Sequence, residues 1–233
     1  MRMADPRSPQ DSFELYQRVV WFFTTVVAFV TASSVIYILV SHGFLTRSEP
    51  LSSEVFAGQH RLNNLILGIH ILTALPPLML GPFNFIRRYL RTRYHRWSGW
   101  VYVVTIFVSS ITGFALATAN EYGIFAKLGF ATLAVVWFFT TWMALKTALG
   151  RRFREHREWM LRSYLVTLAV VTVRMLPHPA FLTLDQWYPF ITWLCWVPNL
   201  ILAELYIRAT TYKGRLRSDW RARLLARRST PTH

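Results

Sequence analysis

The chain has 233 residues, of which 53% are hydrophobic and only 16% are charged, and its net charge is +15. A soluble domain carries about 25% charged residues, so this composition points to a membrane protein and away from a soluble domain. The basic residues fall between apolar runs and do not share one polar face, which argues against a nucleic-acid-binding protein. The single cysteine, Cys195, excludes an intramolecular disulfide and a cysteine-based zinc site.

The apolar residues are gathered into six stretches. Each has about the 20 residues that a helix needs to cross a hydrocarbon core about 30 Å thick. The sequence therefore predicts an all-α fold, a polytopic membrane helical bundle with six transmembrane helices. The predicted spans are residues 18–41, 62–86, 97–119, 124–149, 159–176 and 187–209.

The placement of lysine and arginine predicts the orientation of these spans. Connections rich in Lys and Arg remain on the cytoplasmic side, so we expect a multi-pass protein of the cell membrane with both termini cytoplasmic. The basic inner face is expected to contact anionic lipid headgroups. The predicted organisation is a disordered polar segment over 1–16, a six-helix transmembrane domain over 17–210 and a basic cytoplasmic tail over 211–233. The inner connections contain Arg87, Arg88, Arg91, Arg93, Arg96, Arg151, Arg152, Arg154 and Arg157, against Arg47, Arg61 and Lys127 outside.

The second span is the irregular one, because it contains three prolines, Pro76, Pro77 and Pro82. Proline frees backbone carbonyls and kinks a helix, and such breaks are tolerated where neighbouring helices satisfy the freed groups. We therefore expect this span in the interior of the bundle. A broken helix with polar interior residues is also typical of transporters, so a non-catalytic transporter or assembly factor is one alternative function.

A short basic motif occurs twice, each time just before an apolar span. Arg93-Tyr94-His95-Arg96 precedes the third span and Arg154-Glu155-His156-Arg157 precedes the fifth. At about 1.5 Å per residue, the two histidines lie about 3 Å and 4–5 Å outside the inner edge of the hydrocarbon core. Because the third and fifth spans run in the same direction, we expect His95 and His156 at one level.

Two imidazoles on parallel helices can ligate opposite faces of one haem iron, and flanking arginines can pair with its two propionates. The leading hypothesis is therefore a redox protein with one haem b held by His95 and His156, with Arg96, Arg157 and Arg162 beside it. Two alternatives remain open for the same residues. The motif can anchor the helices, with arginine reaching lipid phosphates, or its histidines can transfer protons.

The remaining intramembrane polar residues fall at two levels. Arg162 and Glu204 lie near the inner edge with the two histidines, whereas His70 and Arg174 lie in the outer half, with Asn199 deep in the sixth span. Ionisable groups in a membrane are costly unless they are paired, so each is a candidate functional residue. A second alternative is thus a membrane-embedded enzyme that acts on a small lipophilic substrate or a quinone through a pocket of His70 and Arg174.

Several segments between about residues 60 and 180 carry a resemblance to a known family. They resemble the predicted membrane proteins grouped as domain of unknown function 2306, which implies a polytopic membrane protein without an established activity. The layout is also loosely similar to the two-haem transmembrane cytochromes b, although the fourth span here contains no histidine. The segments are Ile69-His70, Gly81-Pro82-Phe83, His95-Arg96-Trp97-Ser98-Gly99, His156-Arg157-Glu158-Trp159-Met160-Leu161-Arg162-Ser163 and Thr172-Val173-Arg174.

Overall fold

The computed structural model describes three long parts of the chain, 61–85, 92–176 and 183–211. It also describes helical residues within 25–37, namely 25–27, 29–31, 33, 34, 36 and 37. The predicted N-terminal segment 1–16, most of the first predicted span and nearly all of the tail 211–233 lie outside the described residues.

Every secondary-structure element in the described parts is a helix, which confirms the all-α prediction. The helices are α1 (Arg61–Asn84), α2 (Arg93–Ala119), α3 (Gly123–Leu149), α4 (Phe153–Thr167), α5 (Ala169–Met175), α6 (Leu184–Leu194) and α7 (residues 197–211).

Four of the six predicted spans are confirmed as helical stretches long and apolar enough to cross a membrane. They correspond to the second, third, fourth and sixth predictions. The fifth is divided at Leu168, where the backbone turns with ψ near 0° between α4 and α5. The count of six therefore stays a prediction. The four stretches are Leu65–Asn84, Arg93–Ala119, Gly123–Leu149 and Gln186–Thr211.

Local residues set where the long helices begin. Thr92 precedes α2 in an extended conformation, and its hydroxyl accepts a hydrogen bond from the backbone N–H of His95 at 3.2 Å. This N-cap satisfies one of the donors that a helix leaves free in its first turn. Gly123 has a φ of +88° where α3 begins, a conformation that glycine adopts at little cost.

The first four helices form a ring. α1 packs on α2, α2 on α3, α3 on α4, and α4 on α1. Neighbours run antiparallel, as the bonds from α2 to α1 show: Ser98 bonds Asn84, and Ser109 bonds His70. The helices α2 and α4 are consequently a parallel, diagonal pair.

The ring has one strongly basic end, where α1 and α3 end and α2 and α4 begin. We call it the basic end, and it carries Arg93, Arg96, Arg151, Arg152, Arg154 and Arg157. Above it the interior is filled by a buried cluster that joins α2, α3 and α4. The cluster consists of Tyr102, Ile106, Trp137, Ala144, Met160, Tyr164 and Val166.

The helices α6 and α7 pack outside the ring, against α3 and α4. At the end opposite to the basic end, the rings of Tyr122 and Tyr188 stack with centroids 4.1 Å apart. Farther along, Gly129 allows close approach of α6, because a Cβ there would overlap Thr192. This packing brings α7 alongside α4, where it contributes Glu204.

Candidate functional site

His95 lies in the first turn of α2 at the basic end. The Thr92 cap fixes the backbone of this turn. The Nδ1 atom of His95 is buried and has no hydrogen-bond partner among the described residues. An imidazole nitrogen held out of water without a partner is costly, so it marks a place where a ligand or water is expected.

His156 lies in the first turns of α4 and is held by α3. Its Nδ1 is 2.9 Å from the backbone carbonyl oxygen of Ala144. A carbonyl oxygen only accepts hydrogen bonds, so Nδ1 carries the hydrogen and donates. With Nδ1 in this role, Nε2 is the ring nitrogen through which a metal would be bound.

The two histidines belong to a repeated register between α2 and α4. The hydroxyl groups of Tyr102 and Ser163 are 3.0 Å apart, across a sequence separation of 61 residues. His95 precedes Tyr102 by seven residues and His156 precedes Ser163 by seven. Seven residues are about two helical turns, so a step of seven on parallel helices stays on one face.

The arginines of this region divide into two sets. Arg96 and Arg157 are exposed at the basic end, next to the two histidines in sequence. Arg162 is instead engaged with Glu204 of α7, with Nε and Nη2 donating to the two carboxylate oxygens at 2.5 and 3.2 Å. Its guanidinium carbon also lies 4.5 Å from the ring centroid of Trp159. The predicted proximity of Arg162 and Glu204 is thus present as a two-point ion pair.

A buried polar cluster above the histidines was not predicted from the sequence. We call it the hydroxyl cluster. Ser163 is bonded by Tyr102 at 3.0 Å and by Thr141 at 2.8 Å, and the indole nitrogen of Trp137 donates to Thr167 at 2.9 Å. Threonines within a helix commonly bond back to carbonyl oxygens of their own helix. Thr140 does so, whereas Thr141 also reaches Ser163 on α4.

The two sequence-predicted residues in the other half of the bundle, His70 and Arg174, each have a hydrogen-bond partner of their own. The Nδ1 atom of His70 donates to the Ser109 carbonyl oxygen at 2.8 Å, and Thr112 Oγ1 lies 3.4 Å from the same nitrogen. Arg174 is exposed, and its Nη1 donates to the Val170 carbonyl at 3.0 Å. Within the described chain no hydrogen bond joins His70 to Arg174. These contacts tie His70 to α2 and leave the predicted pocket of His70 and Arg174 a prediction.

Asn199, the sequence-predicted polar residue of the sixth span, joins two helices. Its side-chain amide donates to Thr172 at 2.8 Å and to the Cys195 carbonyl at 3.1 Å, which links α7 to α5.

Across the described parts of the chain, no three His, Cys, Asp or Glu side chains form a group able to hold a metal ion. Any metal bound by His95 and His156 would therefore have no third ligand of these types from the described residues.

Comparison with known proteins identifies the family. A model for the predicted membrane protein family DUF2306 matches residues 67–207, which is more than half of the chain. The chain belongs to this family. The match covers most of α1, all of α2 to α5 and most of the Gln186–Thr211 stretch, so both histidines lie within it. No curated protein and no solved structure matches the chain.

Membership of the DUF2306 family and the four apolar helical stretches agree on a coarse description. The protein is an integral membrane protein whose helices lie in a lipid bilayer and cross it several times. The family description gives no activity, so the side chains of the site are the indication of function.

Proposed function

We propose that this DUF2306 protein is a redox protein of the cell membrane. In this proposal it crosses the bilayer six times with both termini in the cytoplasm, and it holds one haem b between His95 and His156 at the basic end. When bound, such a haem supplies reversible one-electron transfer at its iron. The observation that carries the proposal is the register set by the bond between Tyr102 and Ser163.

That register supports a shared ligand because of where α2 and α4 lie in the ring. Cofactor sites of helical bundles are built from side chains on facing helices that project into the bundle. As diagonal, parallel helices, α2 and α4 face each other across the interior. His95 and His156 each lie two helical turns before one member of the bonded pair Tyr102 and Ser163, on the side of the basic end. This equal spacing supports a position of His95 opposite His156.

The hydrogen bonds of the imidazoles fit metal ligation. Metal-binding histidines usually donate their second ring N–H to a carbonyl, a carboxylate or water, which fixes both tautomer and ring orientation. His156 already makes this contact through Nδ1 and Ala144, so its Nε2 is the nitrogen available to iron. His95 contributes a second, half-buried imidazole with a nitrogen that lacks a partner among the described residues.

Two exposed cations fit the acidic groups of the cofactor. Arginine pairs with carboxylates through two parallel hydrogen bonds, and the haem propionates are carboxylates. Arg96 and Arg157 follow the two histidines directly and are exposed at the basic end. Arg162 is paired with Glu204, so it joins α4 to α7 and is not available to a propionate.

A difference spectrum tests the proposal. The purified protein, reduced with dithionite and compared with its oxidised form, is expected to show the α band of one b-type haem. His95→Ala and His156→Ala are each expected to abolish it, whereas the control His70→Gln is expected to retain it. A wild-type protein without the band, or a band unchanged in both alanine variants, would contradict the proposal.

One observation favours a second candidate, a membrane-embedded enzyme acting on a lipophilic substrate. Arg174 is an exposed arginine at the end of α5, and within the described chain its guanidinium bonds only to a backbone carbonyl. An anionic group of a substrate would satisfy the remaining guanidinium donors. In this case Arg174→Ala loses substrate turnover while His95→Ala does not, and unchanged turnover in Arg174→Ala would exclude it.

A further inference from the structure

A second polar site lies in the ring, above the basic end. Three buried polar atoms on three helices have no hydrogen-bond partner in the described parts of the chain. They are Asn84 Nδ2 on α1, His95 Nδ1 on α2 and Tyr164 Oη on α4. Asn84 and Tyr164 are only 5% and 4% exposed, so water at the surface cannot serve them. A buried polar group without a hydrogen bond is costly, so each of these atoms is expected to have a partner.

Two contacts of Ser98 place Asn84 beside the first turns of α2. Ser98 donates to Asn84 Oδ1 at 2.6 Å and also lies 3.3 Å from the His95 carbonyl oxygen, so Asn84 lies beside the turn that carries His95. The bond fixes the Asn84 amide, because its oxygen is occupied and its NH2 group must point elsewhere.

Tyr164 approaches the same turn of α1 from α4. Its ring lies directly on Gly81, where no Cβ would fit, and 5.8 Å from the ring of Phe85. Gly81 and Asn84 are three residues apart and share one face of α1. Helical side chains lean toward the helix N-terminus, so the phenol of Tyr164 is expected to point toward the basic end and hence toward Asn84.

The chemistry of these atoms defines the partner. The amide nitrogen of Asn84 can only donate, and Tyr164 Oη has a hydrogen to give, so the partner presents an acceptor oxygen. A carboxylate in this buried place would need a cation, but the nearest buried cation on α4, Arg162, is already paired with Glu204. A neutral carbonyl oxygen meets the donors without adding a charge.

We propose that Asn84 and Tyr164 form a binding site for the carbonyl oxygen of a neutral, lipophilic molecule such as a quinone headgroup. Tyr164 packs beside the ring of Phe85 and belongs to the same buried cluster as Tyr102, so the surroundings of the two polar groups are aromatic and apolar. Asn84 and Tyr164 take no part in the proposed haem site, so the binding site does not require haem.

The test is a calorimetric titration of the full-length protein in lipid nanodiscs, with empty nanodiscs as reference. Menadione, a neutral naphthoquinone, is expected to bind saturably, and 2-methylnaphthalene, which lacks the carbonyls, is not. Tyr164→Phe and Asn84→Asp are each expected to weaken menadione binding about tenfold, the effect of one lost hydrogen bond. The exposed control Tyr206→Phe on α7 is expected to bind as the wild type does.

Three results would overturn the site: no saturable binding above empty nanodiscs, equal binding of 2-methylnaphthalene, or unchanged affinity in Tyr164→Phe. The last result would leave a bound water as the shared partner. The haem spectrum, recorded on the same samples, separates the two proposals. Haem retained in Tyr164→Phe with weakened menadione binding supports the site. Menadione binding that depends on Tyr164 in a protein without haem supports the site and contradicts the haem proposal.

Discussion

At the scale of single residues, the sequence predicts one level for His95 and His156 but does not predict the groups around them. That prediction rests on the repeated Arg-x-His-Arg motif and on the parallel direction of two spans. The signal for the hydroxyl cluster was also present, because Tyr102 and Ser163 follow the two histidines by the same seven residues. Serine, threonine and tyrosine are common in membrane helices, and nothing in their local sequence distinguishes a bond across helices from one within a helix.

Gly81 gives a prediction about close packing of a single residue. Gly81→Ala is expected to lower the free energy of unfolding by about 1–3 kcal/mol, because the new Cβ overlaps the ring of Tyr164. Gly99→Ala is the matched control, since a Cβ there meets no atom within 4 Å and alanine favours a helix by about 0.5–1 kcal/mol. Thermal unfolding in detergent measures both. Equal midpoints for the two variants would show that Tyr164 does not pack on Gly81.

The hydroxyl cluster gives a second residue-scale prediction. Tyr102→Phe keeps the ring but removes the hydroxyl that bonds Ser163, so about 1 kcal/mol of stability is expected to be lost. The same change is expected to lower haem occupancy, because the bond holds α2 in register with α4. Tyr206→Phe, on the exposed face of α7, is the control. Haem content per protein is measured by pyridine haemochrome. Identical content in the two variants would show that the bond between Tyr102 and Ser163 does not contribute to haem binding.

At the scale of elements, long apolar helices were predictable from composition and the break in the fifth span was not. Leu168 separates α4 from α5, yet residues 165–171 contain neither glycine nor proline to signal a break. The second span shows the converse. Its three prolines predicted an irregular helix, but α1 is continuous from Arg61 to Asn84. The burial of Pro77 and Pro82 agrees with the predicted interior position of this span.

The ion pair between α4 and α7 yields a prediction at this scale. Arg162→Met is expected to cost about 1–2 kcal/mol, because Glu204 is left partly buried without its cation. The double variant Arg162→Met with Glu204→Leu is expected to regain most of this loss, since no uncompensated charge remains. Thermal midpoints of the two single variants and the double variant form the test. A double variant as unstable as the sum of the single variants would show that the pair is not coupled.

At the scale of the whole molecule, the placement of lysine and arginine predicts the orientation of the bundle in the membrane. The ring has one basic end, as that orientation requires. Among the described residues, the arginines next to the α1–α2 and α3–α4 connections lie at the basic end. The diagonal relation of α2 and α4 was not predictable, because hydrophobic spans show which segments cross a membrane but not which segments are neighbours. That relation comes from the side-chain contacts described above.

Orientation can be tested by cysteine labelling in a Cys195→Ser background. Glu121→Cys lies at the end opposite to the basic end, and Arg154→Cys lies at the basic end, and both positions are exposed. An impermeant maleimide added to intact cells is expected to label Glu121→Cys and to reach Arg154→Cys only after permeabilisation. The reverse pattern would invert the proposed topology.

The electron paramagnetic resonance spectrum of the oxidised protein tests haem ligation by His95 and His156 directly. If His95 and His156 ligate opposite faces of one iron, the wild type gives a low-spin ferric signal of bis-imidazole type. His95→Ala and His156→Ala then each lose that low-spin signal, while His70→Gln keeps it. Two results would contradict ligation of one haem by His95 and His156: a low-spin signal that persists in both alanine variants, or a wild-type protein with no ferric haem signal at all.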